Sequence, residues 1–294
     1  INSKNEVVGT LTDGDIRRYL IKGKNINESV ENCMNRKPQI GKIGENNKNF
    51  SKISKINIFP AFLPVVKNNK INNIIIAFEE VDINSAIIMA GGLGSRLGNI
   101  TKNIPKPLLK INGITTLEKI IKSLEIANIK NIYISVNYLK EKIIKFVQKK
   151  KFSSNIFFIQ EKKRLGTAGS ISLIKDKIKS PTIIINADVI TSLSISSLID
   201  FYNEDKPDAL LAAAKYDYKI PYGVLRYNEL GELLGVDEKP TQQNLIAAGI
   251  YILNKKIINL METNKKIDMT ELIDIALKNG LRLGVFPIHE TWKD

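Results

Sequence analysis

Residues 85–109, SAIIMAGGLGSRLGNITKNIPKPLL, decide how this chain is read. The stretch opens on a short apolar run, Ala86, Ile87, Ile88, Met89 and Ala90. It is branched and ends at glycines, which predicts a buried strand. The chain then passes through Gly91, Gly92, Gly94, Ser95 and Arg96 before it reaches Pro105-Lys106-Pro107. Glycines at such a point let backbone N–H groups converge on an anion without Cβ atoms in the way. Arg96 adds a forked cation, and Lys106 a compact point charge between two φ-restricted prolines. A loop of this kind suits a triphosphate. It is not a Walker A loop, which needs G-x-x-x-x-G-K-[ST]. Nor is it a dinucleotide fingerprint, since Leu97 stands where the third glycine of G-x-G-x-x-G belongs.

Outward from this loop, length and composition set bounds. A chain of 294 residues with 43% hydrophobic content can bury more than one core. No apolar run approaches the ~18 residues that would span a bilayer, so no membrane association is expected. Cys33 is the only cysteine and His289 the only histidine. An internal disulfide, a cysteine-rich zinc site and a histidine-based triad are thereby excluded. No signal peptide is visible, and the cytoplasm is the expected compartment. The chain opens on Ile1 and stops at Asp294, and both ends read as trimmed. The net charge of +14 goes with heavy use of Lys, Asn and Ile. The lysines are scattered, and the short run Lys149–Lys151 has no aromatic interleaving, so nucleic-acid binding is not expected.

Two unequal parts are expected, 1–80 and 84–294, joined by the polar Glu79-Glu80-Val81-Asp82. In the first, a β-run from Val7 enters a helix capped by Thr12 or Asp13. A short strand near Ile40, the run Leu63–Val66, a turn at Asn68-Asn69 and the run Ile71–Phe78 follow. In the second, strand and helix patterns alternate. Helices are predicted over 115–127, 141–147 and 169–178, and strands over 131–136, 156–160, 182–185 and 281–287. This succession predicts an α/β fold with a doubly wound sheet. Strand 182–185 runs through Asn186-Ala187 to Asp188, and in such sheets the carboxyl ends of the strands face the ligand crevice. A helix N-cap is the alternative role for Asp188.

From about Ile87 to Asp294 the chain resembles the sugar-1-phosphate nucleotidyltransferases, whose signature is a strand, G-G-x-G-[ST]-R-L, a spacer and P-K-P. The resemblance implies a mixed, mostly parallel Rossmann-like sheet. It also implies condensation of a nucleoside triphosphate with a sugar 1-phosphate, with release of pyrophosphate. Arg96 and Lys106 would be catalytic, and Ala90, Gly91, Gly92, Gly94 and Ser95 would hold the nucleotide. Leu165-Gly166-Thr167-Ala168-Gly169 matches the L-G-T-A-G element that embraces the base, preceded by Gln160 and Glu161. The Glu161 carboxylate can accept two hydrogen bonds side by side, as guanine offers, whereas Gln160 suits a pyrimidine. GTP is favoured, with pyrimidine triphosphates as rivals. Asp188 resembles the aspartate that holds Mg²⁺, and Asp294, after Trp292, the second metal ligand. The sugar half is marked by Tyr222-Gly223-Val224, by Glu238-Lys239-Pro240, and by Ala248-Gly249-Ile250-Tyr251. There Gly223, Glu238, Lys239, Gly249 and Tyr251 would bind the sugar phosphate. Ile246 stands where an Asn is often found.

Residues 1–80 resemble a CBS domain pair with its first half cut away. Gly9, Thr12 and Asp15 match the G-x-x-T-x-x-D pattern that binds adenine nucleotides. Capping of a helix is the equal alternative for Thr12 and Asp15, and the second unit lacks the Thr and Asp. CBS modules usually pair, so a homo-oligomer is expected. Within the family, this combination resembles the CBS-bearing guanylyltransferases of bacterial nonulosonate (legionaminic acid) synthesis, which act on glucosamine 1-phosphate. Mannose- or heptose-1-phosphate guanylyltransferases and uridylyltransferases are alternatives. A catalytically silent nucleotide sensor is another, but it would have no need of Arg96, Lys106 and Asp188 together.

Overall fold

The computed structural model describes residues 1–56, 61–77, 82–92, 103–179 and 181–293. The expected run from Val7 makes only isolated bridges, Glu6 with Lys70 and Thr10 with Asn35. Helix α1 (Asp13–Ile21) follows, capped by Thr12 in a reciprocal box with Asp15. Next come β1 (Gly41–Lys42), α2 (Asn46–Ile53), β2 (Ala61–Lys67) and β3 (Lys70–Ala77). The three strands form one small sheet in the order β1-β2-β3. Asn68 and Asn69, at φ of 51° and 62°, make the tight turn between β2 and β3. Ile53, Ala61 and Leu63 are its small core.

The larger part begins with β4 (Ser85–Met89), β5 (Lys110–Ile111), β6 (Ile114–Thr115) and α3 (Thr116–Ile126). It continues through β7 (Asn131–Val136), α4 (Lys140–Gln148), β8 (Asn155–Gln160), β9 (Thr182–Asn186), β10 (Ile190–Thr191) and α5 (Ile195–Asp205). The chain then forms β11 (Ala209–Lys219), β12 (Val224–Tyr227), β13 (Leu233–Asp237), β14 (Thr241–Leu253), α6 (Lys255–Asn259), α7 (Met269–Lys278), β15 (Leu283–Ile288) and β16 (Trp292–Lys293). Residues 169–177, expected as an α-helix, form a 3-10 run instead.

Seven strands make one sheet in the order β15-β11-β14-β9-β4-β7-β8. Within it β14 runs against both its neighbours, and the other pairs are parallel. The fold is thus α/β, as the alternation of elements predicted, with the mixed, mostly parallel sheet that the resemblance implied. Its strands are apolar on both faces, as a sheet covered on both sides requires. Ala86 and Ile88 of β4 point into one core with Ile183 and Ile185 of β9, against Leu117, Ile121 and Leu124 of α3. Ile87 and Ile184 point the other way, into a second core with Ile171, Ile257, Met269 and Leu272. The wall of α3, α4 and α5 therefore lies on one face, and α6, α7 and the 3-10 run on the other. Beyond Ala214, β11 and β14 leave the sheet as an exposed two-stranded arm, Lys215–Lys219 against Thr241–Leu245. The β12–β13 hairpin is carried on it. Helix α1 packs against β15 and α5 of the larger part. Among the described residues no helix is long and apolar enough to cross a membrane.

Candidate active site

Register brings several of the expected residues to one edge of the sheet. Met89 at the end of β4 lies level with Asn186 of β9 and with Ser135 of β7. Sheet bonding runs one step further, with Ala90 N–H donating to Ser135 O and Ala187 N–H to Met89 O. Gly91 and Asp188 follow at the next step on their two strands. Glu161 continues β8 in the same way, its N–H donating to Val136 O at 3.1 Å. Ala90 is buried, Gly91 half-buried and Gly92 exposed. The glycine loop thus begins in the core and opens at the surface. Gly94, Ser95, Arg96 and Asp294 lie outside the described residues.

Gly91 is a glycine for a visible reason: a Cβ there would stand 2.6 Å from Glu161 Oε1. Glu161 is tied into the sheet edge. Ser135 Oγ donates to its Oε1, Leu165 N–H to its Oε2 at 3.2 Å, and Asn137 Nδ2 to its backbone carbonyl at 2.9 Å. Both carboxylate oxygens therefore already accept one protein hydrogen bond, and further donors must use the remaining lone pairs. Gln160 is exposed and accepts from Lys140 Nζ at 3.2 Å. Gly166, at φ 82°, and Thr167 form a loop strapped to the start of α7. Ile267 N–H donates to Leu165 O, and Ala168 N–H to Ile267 O. Thr167 N–H donates to Asp268 Oδ1 at 2.8 Å, and a Cβ on Gly166 would meet Ile267 O at 2.5 Å.

Lys106 starts a short 3-10 turn between Pro105 and Pro107, both buried, and the prolines hold its backbone in place. Its Nζ donates to Asp188 Oδ2 at 2.7 Å. The two side chains are 26% and 30% exposed, so the pair is open to a ligand. Across β14, Gly249 lies level with Asn186, at φ 74°, where a Cβ would come 2.8 Å from Asn186 Nδ2. The antiparallel run of β14 is what carries Gly249 to this edge. Tyr251, two residues on, is buried in the second core beside Ile184, and burial pushes its phenol upward in pKa. Its place is in the packing rather than on the cleft. Gly223, Glu238 and Lys239 stand together at one end of the β12–β13 hairpin, where Gly223 Cβ would meet Glu238 Oε2 at 3.2 Å. Lys239 Nζ is 3.6 Å from Glu238 Oε1, and both side chains are largely in water.

The strand β16 runs antiparallel to β10, Lys293 opposite Ile190, two residues beyond Asp188. Trp292 Nε1 donates to Ala248 O at 3.0 Å, next to Gly249. The end of the described chain therefore pairs with the strand that follows Asp188. At the other end, Thr12 and Asp15 are engaged with each other, Thr12 Oγ1 donating to Asp15 Oδ2 at 2.8 Å. Arg18 Nη2 donates to Asp15 Oδ1 at 2.9 Å. Several contributors were not singled out from sequence. Ser135 was signalled by a polar side chain in the middle of the apolar run NIYISV. Asn137, Asn186 and Asp268 carried no signal beyond standing next to a strand or helix end.

Comparisons with known proteins show the family. Residues 85–294 match the nucleotidyl transferase family. The chain belongs to that family. A mannose-1-phosphate guanyltransferase of Yarrowia lipolytica is 33% identical over 71% of this chain. A bifunctional protein GlmU of Methanococcus maripaludis is 31% identical over the same share. The chain spans 59% of the first relative and 50% of the second, so it covers about half of each. Among solved structures, HddC from Yersinia pseudotuberculosis, in complex with GMP-PN, superposes with a TM-score of 0.57 at 28% identity. That match covers 72% of this chain and 93% of HddC.

Proposed function

We propose that this nucleotidyl transferase moves GMP from GTP onto a sugar 1-phosphate, glucosamine 1-phosphate being the favoured acceptor. The observation that carries the reading is the Lys106–Asp188 pair, set beside the glycine loop at the carboxyl edge of the sheet. A phosphate monoester is largely dianionic near neutrality, because its second pKa is about 6. It needs no general base, and the only histidine is not required for one. A sugar phosphate oxygen attacks the α-phosphorus, the α–β phosphoanhydride bond breaks, and pyrophosphate leaves with the electron pair. The work left to the protein is electrostatic: two polyanions must be held close and in line. Lys106, fixed by its prolines, would turn from Asp188 to the α-phosphoryl group, and Arg96 with Gly92, Gly94 and Ser95 would take the β,γ-phosphates.

Asp188 suits a hard cation: it supplies oxygen donors, is part-exposed, and stands where the phosphates would lie. It would hold Mg²⁺ with Asp294, the residue after Lys293. When bound, Mg²⁺ would neutralise charge on the phosphate oxygens. Guanine is favoured by Glu161 beside L-G-T-A-G and is in keeping with the likeness to HddC. Mannose 1-phosphate is the rival acceptor, supported by the similarity to the Yarrowia guanyltransferase. Gly223, Glu238, Lys239 and Gly249 would receive the sugar phosphate. Pyrophosphate release measured across GTP, UTP, CTP, dTTP and ATP, crossed with several hexose 1-phosphates, tests all of this. Preference for a pyrimidine triphosphate would refute the guanine assignment.

We further read 1–80 as a partial CBS-type domain and 84–294 as the transferase domain, working in the cytoplasm as a homo-oligomer. An adenine nucleotide at Thr12 and Asp15 would have to take Asp15 from Arg18. AMP or ATP should then raise the melting temperature, and Asp15→Ala should abolish the rise. No shift with either nucleotide would leave those residues as a helix cap.

A further inference from the structure

Arg17 is the largest fully buried side chain among the described residues, although it sits in a helix of the N-terminal region. Each face of its guanidinium is used by the larger part or by its own helix. Nη1 donates to Pro287 O at 2.5 Å and Nη2 to Glu290 Oε1 at 2.9 Å. Nε donates to Asp13 Oδ2 at 2.6 Å, and the plane lies over the Phe286 ring, 3.8 Å from its centroid. Arg18 bonds Glu204 of α5, and a Cβ on Gly14 would fall 2.2 Å from Glu204 Oε1. Helix α1 is therefore seated closely against α5 and the end of β15. Burial pushes the Glu290 carboxyl up, but the hydrogen bond and charge of Arg17 outweigh it and hold Glu290 below the usual carboxylate range.

Of the groups that Arg17 grips in the larger part, Pro287 lies at the end of β15 and Glu290 in the turn between β15 and β16. From Glu290 the chain runs to Thr291, whose carbonyl accepts from Thr191 Oγ1 at 2.8 Å and Ser192 N–H at 3.1 Å. Trp292 then bonds Ala248 O, and β16 pairs with β10 just beyond Asp188. These contacts tie the turn to β10 and Ser192, just beyond Asp188 in the chain, and to Ala248, next to Gly249 on β14.

We propose that Arg17 is a positioning residue: by holding Pro287 and Glu290 it sets the β15–β16 turn, and through it the metal-binding edge around Asp188. This inference rests on the nucleotidyl-transfer reading above. A buried guanidinium with this many partners is costly to leave half-paired, so the turn and helix α1 are held together or lost together.

Trp292, the only tryptophan, reports the turn directly. In the full chain, Arg17→Ala, Arg17→Lys and Glu290→Gln are compared with the wild type by Trp292 emission, acrylamide quenching and the Mg²⁺ needed for half-maximal pyrophosphate release. The expected result for Arg17→Ala is red-shifted, more quenchable emission and about a 10-fold or greater rise in the Mg²⁺ requirement, as for groups that orient metal ligands. Arg17→Lys and Glu290→Gln should shift both readouts less and in the same direction, and they carry the test if Arg17→Ala fails to fold. Folded variants with an unchanged Mg²⁺ requirement would overturn the positioning role, whatever happens to stability or to Trp292. A wild-type protein that releases no pyrophosphate would instead overturn the reaction and this role with it.

Discussion

Most of the residues proposed above to hold the nucleotide stand at or just beyond the ends of main-sheet strands, whereas most of those proposed to hold the sugar stand on an arm in water. Gly91, Glu161 and Asp188 each follow directly on an apolar strand whose neighbours fix its register. Lys106 borrows the same rigidity from two buried prolines and from Asp188. Gly223, Glu238 and Lys239 have no such support: the hairpin that bears them has mostly exposed side chains, including Leu225, Tyr227, Leu233 and Leu234. Only Gly249 joins the two halves, because β14 is both a strand of the main sheet and a strand of the arm. The difference teaches where preorganisation lies. One half can hold charges in place before any ligand arrives, as electrostatic catalysis requires. The other, on the proposed reading, would be left to adapt to the sugar.

If that contrast is right, substitutions in the first half should cost rate and those in the second should cost sugar affinity. The largest effect is expected at Lys106. Lys106→Ala should lower kcat by about 10²–10³ while GTP still binds, measured by steady-state kinetics beside nucleotide titration. Near-normal turnover would make Lys106 a mere partner of Asp188. Glu161→Gln should cost about 1–3 kcal/mol in kcat/KM with GTP and little with UTP, the range for a buried hydrogen-bonding group left mispaired. An equal loss with both triphosphates would show that Glu161 serves only Ser135 and Leu165. At the join, Gly249→Ala should destabilise the fold by roughly 1–2 kcal/mol in chemical denaturation, since it forces a Cβ into left-handed backbone. No change in midpoint would remove the argument for close packing against Asn186. The smallest effect belongs to the arm. Lys239→Ala should raise the KM for the sugar 1-phosphate by less than about 1 kcal/mol equivalent, as fits an exposed charge, and leave the KM for GTP alone. A fall in kcat would contradict the division.

The same contrast governs what could be read from sequence. The strands through Ile88, Ile134 and Ile184 were legible because burial on both faces makes them short apolar runs ended by glycine or polar residues. The positions of Asp188 and Gly91 just beyond strand ends were legible with them, since the apolar runs that precede them mark where each strand stops. The long β11–β14 arm was not, because its outer residues, such as Lys215, Asp217 and Lys219, read as loop when no core faces them. The α-helix expected over 169–178 became a 3-10 run: periodicity marks an apolar face but not the pitch of the turn. Arg17 escaped altogether, as an arginine in a short polar helix reads as a surface residue. Its burial depends on Glu290, 273 positions later, which no local pattern carries.

The account stands most directly on the identity of the bond that is made. Phosphorus NMR of the full chain with GTP, glucosamine or mannose 1-phosphate, and Mg²⁺ should show the sugar monoester signal disappearing as two coupled diphosphate-ester signals and pyrophosphate appear together. An untouched monoester signal, or inorganic phosphate in place of pyrophosphate, across every triphosphate and sugar phosphate offered would contradict it.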